Sequence, residues 1–243
     1  MRLKQEEFRQ WAEGFYEQLG LRLSWSVVAS DAGVKASTLT MQRSRNRVDA
    51  DFIIQIARAH GLSPVAELRK IPRFEALLSG GSAPSTAEIL VTMHPADVLD
   101  ELISRMTRYD FEVRDKRKLS SWDGWVYGIA AWLDFKGEQT RGRMRETLAI
   151  KASALEDRLY GSVRFRVDEL IEGLAAIGCS PILGLALMGY LNEEEAGLSE
   201  RVKKKELGAV SDEFLLEVMN VQHKYVARGL KDLRILDEHS SLN

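Results

Sequence analysis

Several things are scarce in this chain, and each scarcity removes a class of protein. There is one cysteine, Cys179. It permits no intramolecular disulfide and no cysteine-based metal site, and it fits a reducing, intracellular setting. Only 5 prolines interrupt the 243 residues, and the long segments are rich in Ala, Leu, Glu, Arg and Lys, a helical composition. No apolar run approaches the roughly 20 residues of a membrane span. The longest candidate, Ile177–Leu191, is too short and carries Ser180, Pro181 and three glycines. Lys4, Gln5, Glu6 and Glu7 stand where a secretory signal needs an apolar stretch. Net charge is low as well, at -2, so any basic surface must be local.

Chemistry-bearing patterns are also scarce. His60, His94, His223 and His239 are scattered without metal-ligand spacing. No glycine-rich loop ends in Lys-Ser/Thr, and Gly80-Gly81 belongs to a linker. Asp97, Asp100 and Glu101 share a helix and are expected on a solvated face. Trp122, Trp125 and Trp132 have helical spacing and are expected in the core. No catalytic residue, metal or cofactor is therefore expected, and the chain does not read as an enzyme.

What the chain does contain is a pattern that occurs twice. Residues 34–39 read Val-Lys-Ala-Ser-Thr-Leu, and residues 150–155 read Ile-Lys-Ala-Ser-Ala-Leu. Each is followed by an apolar helical stretch and then by Gly-Leu-Ser-Pro (61–64) or Gly-Cys-Ser-Pro (178–181). Lys35 and Gly61 lie 26 residues apart, and Lys151 and Gly178 lie 27 apart. Shared pieces in one order at nearly one spacing indicate two related units.

The periodicity around these pieces is helical. A helix is predicted over 4–19, with Phe8, Trp11, Ala12, Phe15, Tyr16 and Leu19 on one face and Gly20 as its stop. Ser24 is placed to cap a short helix over 25–31. A turn at Ala32-Gly33 follows, then a helix from about Lys35 to Arg43. Asp49 or Asp51 starts the next helix, with Phe52, Ile53, Ile56 and Ala57 inward, and Gly61 ends it. Ser63-Pro64 opens a helix carrying Val65, Leu68, Ile71 and Leu77. Residues 79–85 form a small-residue linker. Ser85 or Thr86 caps a helix, and His94-Pro95 opens another through Leu99, Leu102, Ile103 and Met106. Tyr109–Val113 is the candidate extended piece, and Arg114, Lys116, Arg117 and Lys118 form a basic run. An apolar helix over Trp122–Phe135 parallels residues 8–21, and Gly137 breaks it. A final amphipathic helix spans about 212–236, with Phe214, Leu215, Val218, Val221, Tyr225, Leu230 and Leu233.

The first unit has the grammar of a helix-turn-helix. Ala29 is small where two helices touch. Gly33 tolerates the positive φ of the turn. Val28, Ala32, Val34 and Leu39 can pin the pair to the core, and Gln42 is out of place at a position that is usually apolar. The outward face of the second helix is Lys35, Ser37, Thr38, Thr40, Met41 and Arg43, followed by Arg45, Asn46 and Arg47. Together with Ser24 these are the candidate DNA-binding residues, suited to base edges and phosphates. Between Arg22 and Arg47 there are five cations against Asp31 alone, a local balance of +4. From about Leu21 to Ile71 the chain resembles the lambda-repressor-like (Xre-type) helix-turn-helix family. Ala29, Gly33, Val34, Leu39 and the later Phe52, Ala57 and Gly61-Leu-Ser-Pro64 carry the resemblance. It implies a five-helix DNA-binding domain whose helix beginning near Lys35 enters the major groove.

The second unit follows the pattern less closely. Thr140 matches Ser24, Met144 matches Val28 and Leu148 matches Ala32, while Ile150 and Leu155 match the apolar pins. Arg145 stands in place of Ala29, and Ala149 in place of Gly33. Lys151, Ser153, Ala154, Glu156, Asp157 and Arg158 face outward. Arg141, Arg143, Lys151, Ser153 and Arg158 are the second candidate DNA-binding set, with Arg145, Arg164 and Arg166 nearby. Glu156 and Asp157 oppose phosphate binding unless they are turned away. The alternative is a duplicated unit kept as a scaffold or a protein-contact surface.

The fold expected is all-α, with two tandem lambda-repressor-like domains and a C-terminal helix. The divisions are 1–78, the linker 79–85, 86–200 including a helical bridge, and 201–243. The function expected is that of a sequence-specific, double-stranded-DNA-binding transcription regulator. A repressor that occludes a promoter fits best, similar to the immunity repressors of temperate phages and prophages, in the bacterial cytoplasm or nucleoid. Nothing resembles the β-rich self-cleaving domain of some phage repressors. If both units read DNA, one chain covers an asymmetric site over major grooves about 34 Å apart per turn. If one does, a homodimer through the second unit or the C-terminal helix is needed for affinity. The other reading is a protein-interaction adaptor or antitoxin-like protein that uses the same folds for protein contacts.

Overall fold

The computed structural model describes residues 2–78, 83–107, 119–120, 125 and 127–240, and the side chains of all of these except 107 and 231–240. Most of the linker, the Tyr109–Val113 stretch, the Arg114–Lys118 run, Trp122 and the side chain of Leu233 lie outside that description. Among the described residues the chain is all-α, with no strand and a single isolated bridge between Leu3 and Val48. No described helix is long and apolar enough to cross a membrane.

The first unit comprises α1 (Gln5–Gln18), α2 (Trp25–Asp31), α3 (Ala36–Ser44), α4 (Asp51–Ala59) and α5 (Pro64–Leu68), closed by a 3₁₀ turn (Pro72–Leu77). Helix α1 buries Phe8, Trp11, Ala12, Phe15 and Tyr16, one stripe at three- and four-residue spacing. Ser63 caps α5, its hydroxyl accepting from the Ala66 N–H at 3.3 Å, as the Ser-Pro pair predicts. The expected continuous helix through Leu77 is broken. Ile71 precedes Pro72 and is extended (φ -82, ψ 116), because the proline ring excludes the helical region there. Ile71, Phe74 and Leu77 are still fully packed, so the break costs little burial.

The remainder comprises α6 (Thr86–Thr92), α7 (Pro95–Thr107), α8 (Gly128–Lys136), α9 (Gln139–Leu148), α10 (Ala152–Leu159), α11 (Val167–Ala176), α12 (Pro181–Leu187), α13 (Glu200–Ala209) and α14 (Asp212–Ser240). Ser85 caps α6 in a reciprocal box with Glu88. The bridging helices are tied to the elements that follow them. The Glu88 carboxylate accepts the Ser180 N–H at 2.7 Å, and the Gln222 amide donates to the carbonyls of Leu90, Val91 and Met93. Arg105 reaches the carbonyls of Leu207 and Val210.

The structure departs from the sequence pattern at four places. Of the three carboxylates expected on a solvated face, only Asp100 is exposed. Asp97 and Glu101 are buried, with Asp97 accepting the Ser120 N–H at 3.0 Å and Glu101 paired with Arg105 at 2.8 Å. A buried carboxylate needs such donors to offset its desolvation. On α7, Leu99, Ile103 and Met106 point outward, while Val98 and Leu102 are buried. The stripe of α14 packs within the chain through Leu215, Val218 and Tyr225, but Leu230 is exposed. Trp125 and Trp132 are core as expected, although Trp125 precedes α8 rather than lying within it.

Polar contacts join the two parts of the chain. Arg58 of α4 forms a two-pronged pair with Glu195 and also donates to the Tyr190 carbonyl at 2.7 Å. Arg73 of the 3₁₀ turn pairs with Glu172 of α11.

Candidate nucleic-acid interface

Helices α2 and α3 meet through a tight turn. Gly33 sits at φ 66, and the Val34 N–H reaches back to the Ala29 carbonyl at 2.9 Å. Gly33 is needed because a side chain at that φ is strained. Val28, Ala29, Ala32 and Leu39 are buried under the pair, and Val34 is half-buried. Gln42, out of place in an apolar pattern, has a polar partner. Its amide donates to the Asp49 carboxylate at 2.7 Å and its carbonyl accepts the Asp49 N–H at 2.9 Å. That reciprocal pair fixes the end of α3 to the segment that leads into α4.

Around α3 the structure brings the candidate residues together. Lys35, the N-cap residue of α3, and Ser37, Thr40, Met41, Arg45 and Arg47 are exposed, and Thr38 is half-buried. Lys35, Arg45, Arg47 and the neighbouring Arg22 have no acidic partner among the described residues. Asp31, the one acid in this stretch, is turned away from them. It accepts from the Tyr16 hydroxyl at 2.6 Å and lies 2.9 Å from His60 Nε2. The basic balance is therefore a surface property as well as a sequence one.

Three residues in the set have other partners. Ser24 precedes α2, but its hydroxyl pairs with that of Ser26 at 2.8 Å and caps no backbone N–H. Asn46 sits in the left-handed region at φ 52, and its side-chain oxygen accepts the Gln5 N–H at 2.8 Å, an orphan donor at the start of α1. Arg43 lies over the face of Trp25, with its guanidinium carbon 3.5 Å from the ring centroid. Burial, with Arg9 nearby, pulls the Arg43 pKa down from the ordinary arginine value. The Trp25 contact is invisible in the sequence, because it joins the start of α2 to the last turn of α3.

In the second unit, α9 and α10 repeat the backbone. Ala149 occupies the left-handed position at φ 50, and the Ile150 N–H reaches the Arg145 carbonyl at 3.2 Å. The outward chemistry differs. Arg141 is held by Asp134 at 2.9 Å, by Glu156 at 2.8 Å and by the Tyr225 hydroxyl at 3.0 Å. Arg158 grips Glu169 with both prongs at 3.0 Å. Arg164 lies on the Tyr190 ring and donates to the Met188 carbonyl, and Arg166 pairs with Asp168 and Glu169. Arg143, Arg145, Lys151 and Ser153 remain exposed, as does Asp157. From α14, Arg228 reaches Tyr160 at the end of α10, its guanidinium carbon 3.6 Å from the ring centroid.

No group of acidic, histidine or cysteine side chains among the described residues can hold a metal ion. Comparison with family models, with curated proteins and with solved structures found no match.

Proposed function

We propose that this protein is a transcription regulator that binds double-stranded DNA with α3 in the major groove. One observation carries the reading. Lys35, Arg45 and Arg47 flank an exposed hydroxyl- and methyl-bearing face of α3 without acidic partners, while Asp31 is engaged on the inner side. Ser37, Thr38, Thr40 and Met41 have the donors, acceptors and methyl groups that base edges call for, and the cations suit phosphates. Repression by promoter occlusion is the output we assign, of the phage- or prophage-immunity type that the family resemblance implies.

The second unit has a smaller share in this reading. Among the described residues, its candidate cations without an acidic partner are Arg143, Arg145 and Lys151, while Arg141 and Arg158 are spent on ion pairs. We assign it a supporting role beside the first unit, with only the start of α10 open to a duplex. An adaptor role would need no such cluster of free cations on α3.

The test is selection from a random-sequence duplex library, followed by light scattering on the selected complex. A motif whose affinity falls steeply with salt, and falls further in Arg45→Ala and Arg47→Ala, supports the reading. A long asymmetric motif bound by one chain would enlarge the role of the second unit, and a palindrome bound by two would make the protein a dimer on DNA. Absence of any enrichment at moderate salt would favour the adaptor.

A further inference from the structure

The cations around α3 are not equivalent. Arg45 and Arg47 are exposed, whereas Arg43 is half-buried under contact with Trp25. Its Nε is buried and without a hydrogen-bond partner, so only the two terminal amino groups can serve a ligand, and no acid among the described residues takes them. Trp25 begins α2 and Arg43 lies in the last turn of α3, so the stack spans the two helices of the motif. An arginine on a flexible stem loses much side-chain freedom when it grips a phosphate. An arginine already flat against a ring has lost part of that freedom beforehand.

The second unit lacks this device. The positions that correspond to Trp25 and Arg43 by the Lys35–Lys151 register are Arg141 and Leu159. Arg141 is held by two carboxylates, and Leu159 is 1% exposed. A stack between these two positions is thus confined to the first unit, and the arginine–ring contacts of the second part, Arg164 on Tyr190 and Arg228 on Tyr160, lie at other positions.

We infer that Trp25 is a positioning residue for DNA binding, which holds the Arg43 guanidinium ready to take a backbone phosphate. The inference rests on the proposed reading of α3. Trp25 itself need not touch the nucleic acid. Its contribution passes through Arg43, so removing either residue removes the same interaction.

The experiment is a double-mutant cycle on the full chain, with a mixed-sequence duplex as the probe, titrated at several salt concentrations. Arg43→Gln is expected to lower the slope of log affinity against log salt by about 0.9, one phosphate contact. Trp25→Leu is expected to weaken binding roughly threefold to tenfold and to leave that slope unchanged, because the charge remains. The double variant should bind no worse than Arg43→Gln alone. Trp25→Phe should recover most of the affinity, since a smaller ring face remains. Arg43→Lys keeps the charge and loses the planar stack, so it should match Trp25→Leu in affinity and slope. It sits on a half-exposed position and tests the idea even if Trp25→Leu does not fold. Additive losses in the cycle, or wild-type affinity in Arg43→Lys, would overturn the inference while DNA binding stood. A wild-type chain that ignores the duplex at low salt would instead overturn the proposed function itself.

Discussion

The two units are built on one backbone and finished with two surfaces. Gly33 and Ala149 share the left-handed turn, and Gly61 and Gly178 end the next helices at φ 65 and 68. Ser63 and Ser180 then cap the following Pro-led helices at 3.3 and 3.4 Å. Even the odd polar position is repeated. Gln42 and Arg158 correspond, and each ties its helix to the start of the next one. Core side chains are exchanged at matching positions. Val28 and Ile56 in the first unit are matched by Met144 and Gly173, where a Cβ on Gly173 would sit 3.0 Å from the Met144 methyl. Backbone geometry is thus the fixed term, while core side chains and outward charge are free to change. In the first unit cations face solvent. In the second Arg141 and Arg158 close ion pairs, Arg143, Arg145 and Lys151 stay exposed, and Arg228 of α14 reaches Tyr160 at the end of α10.

The sharpest way to break this comparison is to cut the matching anchors. Arg158→Ala would leave Glu169, 3% exposed in its side chain, with fewer charged partners. Removing one side of a buried pair costs about 3–5 kcal/mol. Arg166 retains its own contact to Glu169, which sets the expectation at the lower end of that range. Gln42→Ala should cost about 1–2 kcal/mol, since neutral amide bonds are lost from a half-buried site. Urea denaturation measures both. If Arg158→Ala kept full stability and lost DNA affinity, Arg158 would be a DNA contact and the assignment of an anchor would be wrong.

A second comparison concerns the two basic faces. Arg45→Ala and Arg47→Ala in the first unit should each lower the salt slope of DNA binding by about 0.9. Arg143→Ala and Arg145→Ala should lower it by less, because neither flanks the open face of α10 as closely in sequence as Lys151. Titrations at several salt concentrations give the four slopes. Equal slopes across the units would promote the second unit to a full reader.

Much of this was legible in the residues themselves. The helix ends marked by Gly20, Gly33, Gly61 and Ser63-Pro64 follow local rules of φ preference and capping, and local rules do not need a fold. The repeat announced the shared backbone because it preserves those same markers. What remained hidden was the pairing of charges. Whether Arg141 faces a phosphate or Asp134 is decided by tertiary packing, as is the partner of Arg158. The solvated face expected for Asp97 and Glu101 failed for the same reason, since helical spacing says which residues share a face but not what covers it. Trp25 and Arg43 stand 18 positions apart on different helices, so nothing short of the fold joins them.

Exchanging the turn residues gives a smaller and symmetric test. Gly33→Ala puts a side chain at φ 66, where nothing clashes but the backbone is strained, and should destabilise by about 1 kcal/mol. Ala149→Gly relieves the same strain at φ 50 but frees the unfolded chain, so a gain of up to about 1 kcal/mol is expected. Thermal unfolding of the two variants should shift in opposite directions. Shifts of the same sign would show that the two turns are not alike.

The finest distinction lies in pH. Asp51 and Glu169 occupy the first turns of the corresponding helices α4 and α11, and their pKa values move apart. Burial pushes the Asp51 carboxyl up from 3.8, Asp49 adds to the rise, and one of its oxygens has no hydrogen-bond partner. Burial also pushes Glu169 up, but Arg158, the Arg166 N–H and the Arg166 charge outweigh it, and the net shift is down from 4.5. The signs follow by linkage. A folded-state pKa above the unfolded one means that stability is present in acid and is lost as pH rises through the folded value. A folded-state pKa below the unfolded one means that stability is present above the unfolded value and is lost as pH falls. Asp51→Asn should therefore stabilise the protein near neutrality, with the gain fading as pH falls through the raised folded value and gone below about the ordinary aspartate value. The helix dipole, which favours a negative charge at this first turn, will trim that gain. Glu169→Gln should destabilise it near neutrality, with the loss fading as pH drops. Urea unfolding of both variants across the acid range reads the two slopes. Slopes of the same sign would mean that these two helix starts, alike in backbone, are alike in electrostatics too, and that the divergence between the units stops short of their cores.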